Sequence, residues 1–198
     1  MRTSLQSSEN DEAAQSASSV FLDYNENVGE FGGRSATALH LALYSGGLSF
    51  EAEWQGGRDH FIRKDAPGRV SVPASGNHFT LAYFLTGETV TGRGMVTPLR
   101  PFDPAHGSWG PGAFEAFARY SQLSLGETIF TAGIADPNRW TRSIDLIDVG
   151  LNWYLTRYIK IYFDWQHSAY GSPVLLNPSK GLFGRDNDLF WIRGQLYY

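Results

Sequence analysis

The chain has 198 residues, a formal net charge of −4 and no cysteine, which excludes disulfides and thiolate metal sites. The mild acidity argues against a nucleic-acid binder, because such proteins draw much of their affinity from a basic excess. Glycine is frequent (22 residues) and aromatic side chains make up 15% of the chain, whereas charged residues make up only 18%. This combination favours an all-β protein.

The N-terminal segment, residues 1–19, is rich in Ser, Ala, Glu, Asp and Asn and is expected to be disordered or loop-like. Folded strands are expected in residues 20–198. No run approaches the roughly 18 apolar residues of a membrane helix, and residues 1–6 contain no apolar core of a signal peptide. Because a secreted barrel carries a leader, we expect this chain to be truncated, processed or part of a longer polypeptide.

Alternation of apolar and polar side chains predicts about eight strands. The clearest runs over 158–168, where Ile161 and Phe163 oppose Lys160 and Asp164. Its length of about 11 residues suits a tilted strand that crosses a bilayer. The predicted strands, in chain order, are 20–24 (weaker than the rest), 39–44, 48–55, 78–86, 114–121, 147–155, 158–168 and 190–198.

Connection lengths give a second pattern. Short turns are predicted at 45–47 and 156–157, an intermediate connection at 27–35, and long connections at 58–76, 125–143 and 170–187. Outer-membrane barrels alternate long extracellular loops with short periplasmic turns in this way. One long Gly/Pro-rich stretch, 87–112, breaks the alternation and is interpreted as a folded-in turn or plug element.

The main structural alternative is a soluble β-sandwich or lipocalin-like barrel, which also alternates. Aromatic residues near strand ends favour the membrane barrel, since such barrels carry aromatic girdles at both interfaces. Trp153, Tyr158 and Tyr198 are the expected membrane-interface aromatics. In a soluble β protein the Ile/Leu/Phe face of the strands would pack in a closed core, whereas in a membrane barrel it would face lipid.

Charged residues in the middle of predicted strands are expected to line a water-filled pore. Arg119, Lys160 and Arg193 would bias such a pore towards anions, whereas Glu115 and Asp164 would oppose this bias. The alternative is that these charges pair across strands and stabilise the wall. Arg93 and Arg100, in the 87–112 stretch, are candidate pore-mouth residues, and the alternative for them is an ordinary solvated loop.

Several segments resemble the phosphate-selective porin O and P family. They follow one another from about residue 77 to 198, and residues 36–57 fit more loosely. The segments are Phe84-Leu85-Thr86-Gly87-Glu88, 98–102, Phe114-Glu115-Ala116-Phe117-Ala118-Arg119-Tyr120-Ser121, Leu123-Ser124-Leu125, 135–140, 149–155 and 193–198.

The resemblance implies an antiparallel transmembrane β-barrel of 16 strands, usually trimeric, that passes anions through a lumen lined by Arg and Lys. About eight strands correspond to the C-terminal half of such a barrel in the outer membrane of a Gram-negative-type cell. The expected function is passive diffusion of small hydrophilic solutes, including anions such as phosphate. Expected partners are outer-membrane lipid, these solutes and two further copies in a homotrimer, without cofactor, metal or nucleic acid.

Two alternatives stay open. The chain is a structural or degenerate barrel fragment without transport, or an outer-membrane barrel hydrolase. No HExxH or GxSxG motif occurs and the five histidines are scattered, so we do not expect an enzyme.

Overall fold

The computed structural model describes residues 2–3, 20–92, 94–177 and 180–197. These residues form strands almost throughout, with one 3-10 turn (Pro104–His106) and one four-residue helix, α1 (Thr128–Thr131). Among them, no helix has the length and hydropathy needed to cross a membrane. The strands are β1 (Arg2–Thr3), β2 (Leu22–Asp23), β3 (Val28–Glu30), β4 (Ser35–Ser45), β5 (Leu48–Arg63), β6 (Ala66–Phe84), β7 (Phe102–Asp103), β8 (Ser108–Trp109), β9 (Ala113–Leu125), β10 (Ser143–Tyr154), β11 (Ile159–Asn177) and β12 (Leu182–Leu196).

Eight of these strands form one antiparallel sheet in the order β12-β11-β10-β9-β6-β5, with β5 also pairing both β4 and β3. The expectation of about eight antiparallel strands is confirmed. Within the described chain no pairing joins β12 to β3 or β4, so the sheet is not closed. The β4–β5 turn contains Gly46 at φ 58°, a left-handed conformation that glycine adopts without steric cost.

The predicted long connections at 58–76 and 170–187 are wrong, because strands continue through most of both. β5 and β6 stay paired up to Arg63 and Ala66, and β11 and β12 up to Asn177 and Leu182. Both strands accommodate a proline. Pro73 lies just beyond the β6–β9 pairing, where its carbonyl accepts a hydrogen bond from Gly126 N at 2.7 Å, and Pro173 lies in a register shift between Ala169 and Val174.

The predicted barrel strand at 20–24 is also wrong. Only Leu22–Asp23 is a strand there, and it pairs with Arg2–Thr3 outside the main sheet. Phe21 and Leu22 are consecutive and both fully buried, which a strand with alternating faces cannot achieve. The eighth strand of the sheet is instead Val28–Glu30, which lengthens the edge begun by β4.

The strand registers assign every side chain of the sheet to one of two faces, because directly paired residues point the same way. We name these the inner face and the outer face. The inner face carries Glu51, Thr80, Glu115, Arg119, Asp148, Asn152, Tyr154, Lys160, Tyr162, Asp164 and Arg193. The outer face carries Leu41, Phe79, Leu81, Ile147, Val149, Leu151, Trp153, Ile161, Phe163, Ile192 and Leu196.

The outer face is apolar and open. Ile147, Val149 and Phe163 are exposed, whereas Asp148 and Lys160 on the inner face are buried. A soluble sandwich would show the opposite, with its apolar face packed in a closed interior. The soluble alternative is therefore excluded by the direction of the apolar side chains.

A hydrophobic core nevertheless exists on the inner face, at the end away from the 45–48 and 154–159 turns. Residues 20–24 and the loop 126–142, which contains α1, fold over this end of the sheet. Each fully buried aliphatic side chain there contributes about 1.5–3 kcal/mol. The core residues are Phe21, Leu22, Phe61, Val72, Ile129, Ile134, Ala135, Trp140, Ile144, Leu146, Tyr170 and Val174. The inner face is thus polar only towards the short turns, rather than along its whole length.

Candidate pore-lining face

The five charges predicted to line a pore lie together on the polar part of the inner face. One cross-strand row contains Glu115, Asn152, Tyr162 and Arg193, contributed by β9, β10, β11 and β12 in turn. A second row runs through Thr80, Arg119, Asp148 and Gln166. Lys160 and Asp164 lie two residues before and after Tyr162 on β11.

Glu115 is held by neutral donors. Its Oε2 accepts a hydrogen bond from Asn152 Nδ2 at 2.8 Å and another from the Tyr154 hydroxyl at 2.8 Å. Hydrogen bonds to a carboxylate are charge-assisted and stronger than neutral ones. Glu115 is therefore held in the sheet by neutral hydrogen-bond donors rather than by an ion pair with Lys or Arg.

Lys160 is 8% exposed and is held by aromatic rings rather than by a carboxylate. Its Nζ lies 4.5 Å from the ring centroid of Tyr154 and 4.0 Å from that of Tyr162. The Arg193 guanidinium carbon lies 5.8 Å from the same Tyr162 ring. Attraction to the ring faces orients both cations, and because the rings are neutral these contacts do not neutralise the positive charges.

Arg119 and Asp148 complete the second row. Arg119 Nε donates to Thr80 Oγ1 at 3.1 Å, and Asp148 Oδ1 accepts from Gln166 Nε2 at 2.6 Å. Sequence reasoning omitted Asp148 from the site, although it alternates with Ile147 and Val149 on the polar side of a predicted strand. That alternation was the signal that could have found it.

Ion pairs do not join these charges. Within the described chain, none of Glu115, Arg119, Lys160, Asp164 and Arg193 takes part in one. The ion pairs of the described residues lie elsewhere: Arg34 with Glu30 of β3 and Asp59 of β5, Arg63 with Asp65 at the β5–β6 turn, His106 with Asp103 at the 3-10 turn, and His167 with Asp188 on the outer face. Glu115 and Arg119 hydrogen-bond to neutral groups, and Lys160 and Arg193 lie against aromatic rings. One carboxylate oxygen of Asp164 is buried without a hydrogen-bond partner among the described residues.

Comparison with known proteins identifies the family. A family profile described as phosphate-selective porin O and P matches residues 1–172. The chain belongs to this porin family. A search among curated proteins found no significant match.

Membership confirms the resemblance inferred from the sequence. It implies an outer-membrane location and a channel rather than an enzyme. The profile covers the first 76 residues, which the sequence motifs matched only loosely or not at all, and it ends before the 193–198 segment that the motifs included.

Several aromatic residues of the porin, among them Phe102, Phe114, Trp153 and Tyr158, lie at the end of the sheet that carries the short turns. Trp153 stacks on Phe114 with ring centroids 5.6 Å apart and donates its indole N–H to Pro111 O at 2.8 Å. Tyr158 is exposed beside the β10–β11 turn. Tyr198 lies outside the described residues. Contact of these aromatics with a membrane interface stays a prediction.

The 87–112 stretch of the porin runs along this rim and ties neighbouring turns together. Val90 N donates to Gly46 O at 2.8 Å, and Phe102 N donates to Leu155 O at 2.8 Å. Phe102 contacts Trp153 of the outer face, with centroids 6.4 Å apart. The segment around Phe102 packs at the rim on the outer side, which argues against a plug there, and the alternative of a folded-in turn stays a prediction.

These contacts do not test the role predicted for the two candidate pore-mouth residues of this stretch. Arg100 is exposed, and its carbonyl accepts a hydrogen bond from Gly112 N at 2.9 Å. Arg93 lies outside the described residues. In the part of the chain that the structure describes, no group of three His, Asp or Glu side chains is placed to hold a metal ion.

Proposed function

We propose that the chain forms part of the wall of an outer-membrane porin, through which small hydrophilic solutes, including anions such as phosphate, diffuse passively. One observation carries the proposal. Three cationic groups, Arg119, Lys160 and Arg193, lie on one polar face without an ion-pair partner among the described residues. Arg119 and Arg193 are exposed and Lys160 is buried beside them, and exposed cations along a wet wall attract anions.

The opposite face supports a lipid environment. Phe190, Ile192 and Leu196 on β12 are 76%, 72% and 74% exposed. Continuous apolar surface of this kind is rare on soluble monomers and is typical of a membrane or partner contact. Contact with lipid instead of water is favourable for these apolar side chains, so the sheet is stable in a membrane with its apolar face outward.

Anion preference in this proposal is local rather than global. The inner face also holds Glu51, Glu115, Asp148 and Asp164, so these acidic groups outnumber the three cations. Lys160 and Arg193, however, both lie against the Tyr162 ring, on the β11–β12 side of the sheet. An anion moving past this side meets the exposed Arg193, and the buried Lys160 adds to the positive potential there, which favours passage along β11 and β12.

Closure of the pore is part of the proposal. The free edges, β12 on one side and β3 and β4 on the other, expose unpaired backbone groups, which are costly in hydrocarbon. We propose that further strands complete the ring, as in the 16-stranded, trimeric barrel that the resemblance implies.

Ion conduction across a planar bilayer tests this function. Purified protein should give discrete conductance steps, and a salt gradient should give a reversal potential displaced towards anions. Lys160→Gln and Arg193→Gln should each move the potential towards cations, whereas Lys180→Gln, in the β11–β12 turn, should leave it unchanged. Inserted, folded protein without conductance steps would favour the structural barrel without transport.

A further inference from the structure

Two of the five histidines, which are far apart in the sequence, lie on either side of one carboxylate on the inner face. β5 runs between β4 and β6, and its Glu53 pairs directly with His40 of β4 and with His78 of β6. Directly paired residues of antiparallel strands point the same way, with Cβ atoms about 4.5–5.5 Å apart. Two imidazoles therefore flank one carboxylate. We name these three residues the histidine row.

The histidine row is open to water. His40 is exposed, and His78 and Glu53 are half-buried. A hollow of about 380 Å³, lined in part by Glu53 and His78, adjoins the row. The row continues through Ser121 of β9 to buried Leu146, which belongs to the core. Ions that move along the open part of the inner face would therefore pass the row at the border of the core.

Neither imidazole of the row takes part in an ion pair. In the part of the chain that the structure describes, the histidines that do so are His106 and His167. Glu53 Oε1 accepts a hydrogen bond from Gln55 Nε2, two residues further on the same face. Protonation of either imidazole therefore changes the net charge of this face.

The fixed charges next to the row nearly balance while both imidazoles are neutral. Glu51, two residues before Glu53, is buried and accepts from the Tyr44 hydroxyl at 3.0 Å. From β9, Arg119 donates to Thr80, the cross-strand partner of Glu51. Two carboxylates and one guanidinium leave one net negative charge. Two protonated imidazoles would turn this into one net positive charge.

Other ionisable groups on these strands lie further away. On β5, Asp59 is six residues beyond Glu53 and pairs with Arg34 at 3.4 Å. On β9, Glu115 is four residues before Arg119, towards the short turns. The local charge at the histidine row is therefore set mainly by the row itself and by the carboxylate and guanidinium next to it.

We propose that His40 and His78 make the ion selectivity of the proposed porin depend on pH: acidification protonates both imidazoles, reverses the local charge and favours anions. Histidine is the side chain that ordinarily changes its charge between about pH 5 and 8. A metal ion is not the proposed ligand, since no group of three His, Asp or Glu side chains among the described residues is placed to hold one. The inference rests on the proposed function, because selectivity requires a conducting pore.

Reversal potentials in a KCl gradient test the role in selectivity, with EDTA present to exclude bound metal. Lowering the pH from about 8 to about 5.5 should move the potential of the parent towards anions. The double variant His40→Gln, His78→Gln should lose most of this shift. His167→Gln, whose imidazole lies on the outer face, should keep it. A full shift in the double variant would assign the effect to carboxylates and overturn the proposal.

A chemical readout of the local charge does not need conduction. Because the chain has no cysteine, Ala38→Cys places a single thiol at an exposed inner-face position two residues before His40. The measured quantity is the ratio of reaction rates with an anionic and a neutral methanethiosulfonate reagent, in which the change of thiolate fraction with pH cancels. Acidification should raise this ratio about threefold or more at low ionic strength. With both histidines replaced by Gln, the ratio should stay level.

The two measurements separate failure of the inference from failure of the proposed function. A level rate ratio in the parent, together with conductance steps and a reversal potential that does not change with pH, would overturn the inference alone. A rising ratio in inserted protein without conductance steps would contradict the proposed function and the selectivity role that rests on it. A rise of equal size in the double variant would show that other groups carry the charge change, and would also overturn the inference.

Discussion

Arg119 and Asp148 are directly opposite each other on β9 and β10, yet they do not form an ion pair. Arg119 donates to Thr80 on one side, and Asp148 accepts from Gln166 on the other. Each charge is thereby positioned by a neutral neighbour; the Arg119 side chain is exposed, whereas Asp148 is buried. The same arrangement recurs at Glu115 and Lys160, so it is a property of the polar part of the inner face rather than of one residue pair.

Opposite shifts in ion selectivity should follow from removing these two charges. Arg119→Gln should move the reversal potential towards cations, and Asp148→Asn should move it towards anions. A unit charge acting across about 4 Å of water contributes about 1 kcal/mol, or roughly fivefold in local ion concentration. If the two charges instead neutralised each other, both variants would disturb folding and neither would produce a clean, opposite pair of shifts.

Gly150 provides a test of packing on the inner face. A Cβ at this position would lie 2.6 Å from Cε1 of Phe117, its cross-strand partner, whose ring covers the glycine. Gly150→Val should therefore lower the free energy of unfolding by about 1–3 kcal/mol through overpacking. Urea unfolding of vesicle-inserted protein measures the change.

Gly194→Val is the matched control, since nothing lies within 4 Å of a Cβ built on Gly194. It adds the same side chain to a neighbouring part of the sheet and should leave stability nearly unchanged. Equal losses in both variants would show that the close contacts at Gly150, with Phe163 O at 2.5 Å and the Phe117 ring at 2.6 Å, are not responsible.

The loop that contains α1 should loosen when its buried anchor is shortened. Ile134 is fully buried between the loop and the inner face, so Ile134→Ala should cost about 2–5 kcal/mol. If the loop opens locally, trypsin should cut at the exposed Arg139 and Arg142 about 30-fold faster or more, in proportion to the open population. Trypsin should cut the Thr131→Ala variant, which changes an exposed position of α1, at the parental rate. Equal cleavage rates for the two variants would argue against docking of the loop through Ile134.

The tip of the β5–β6 hairpin, beyond the apolar part of the outer face, should respond to acid. Arg63 Nε and Nη2 donate to the two carboxylate oxygens of Asp65, while Nη1 donates to Ala132 O at 3.0 Å and ties the tip to the loop. The hydrogen bond from Arg63 lowers the pKa of Asp65, against an opposing effect of desolvation. Because the folded pKa lies below the unfolded value of about 3.9, the contact stabilises the tip at all higher pH values.

That contribution should disappear only as the pH falls below about 4 and through the lowered pKa of Asp65. Amide hydrogen exchange of residues 62–66, corrected for intrinsic rates, should lose protection over this interval and stay level above it. Asp65→Asn should abolish the pH dependence. A transition near pH 6 in the parent would point to a histidine instead.

Much of the sheet could be predicted from the sequence, because alternation reports directly on which face each residue occupies. Ile147 and Asp148, or Phe163 and Asp164, separate cleanly in sequence and in space. The lengths of β6 and β11 could not be predicted, since Pro73 and Pro173 interrupt the pattern while a neighbouring strand or a register shift preserves the pairing.

The core on the inner face was also beyond sequence reasoning. Phe21, Ile134 and Tyr170 come from distant parts of the chain, and neither 20–24 nor 126–142 has a period that indicates docking on a sheet. The five residues predicted to line a pore could be assigned to one face, but their contacts depend on rings and amides of neighbouring strands, as those of Lys160 do on Tyr154 and Tyr162.

The most direct test of the two-faced wall is a single-cysteine scan along β9 of the membrane-inserted protein, with substitutions at 115, 116, 118, 119 and 120. The inner-face positions 115 and 119 are not buried, and the outer-face positions 116, 118 and 120 pair with Leu151, Val149 and Ile147. A water-soluble thiol reagent should react quickly at 115 and 119 and slowly at 116, 118 and 120, and a lipid-soluble maleimide should react in the reverse order. Uniform labelling along the strand, or fast aqueous labelling at 116, 118 and 120, would contradict the assignment of lipid to the outer face and water to the inner one.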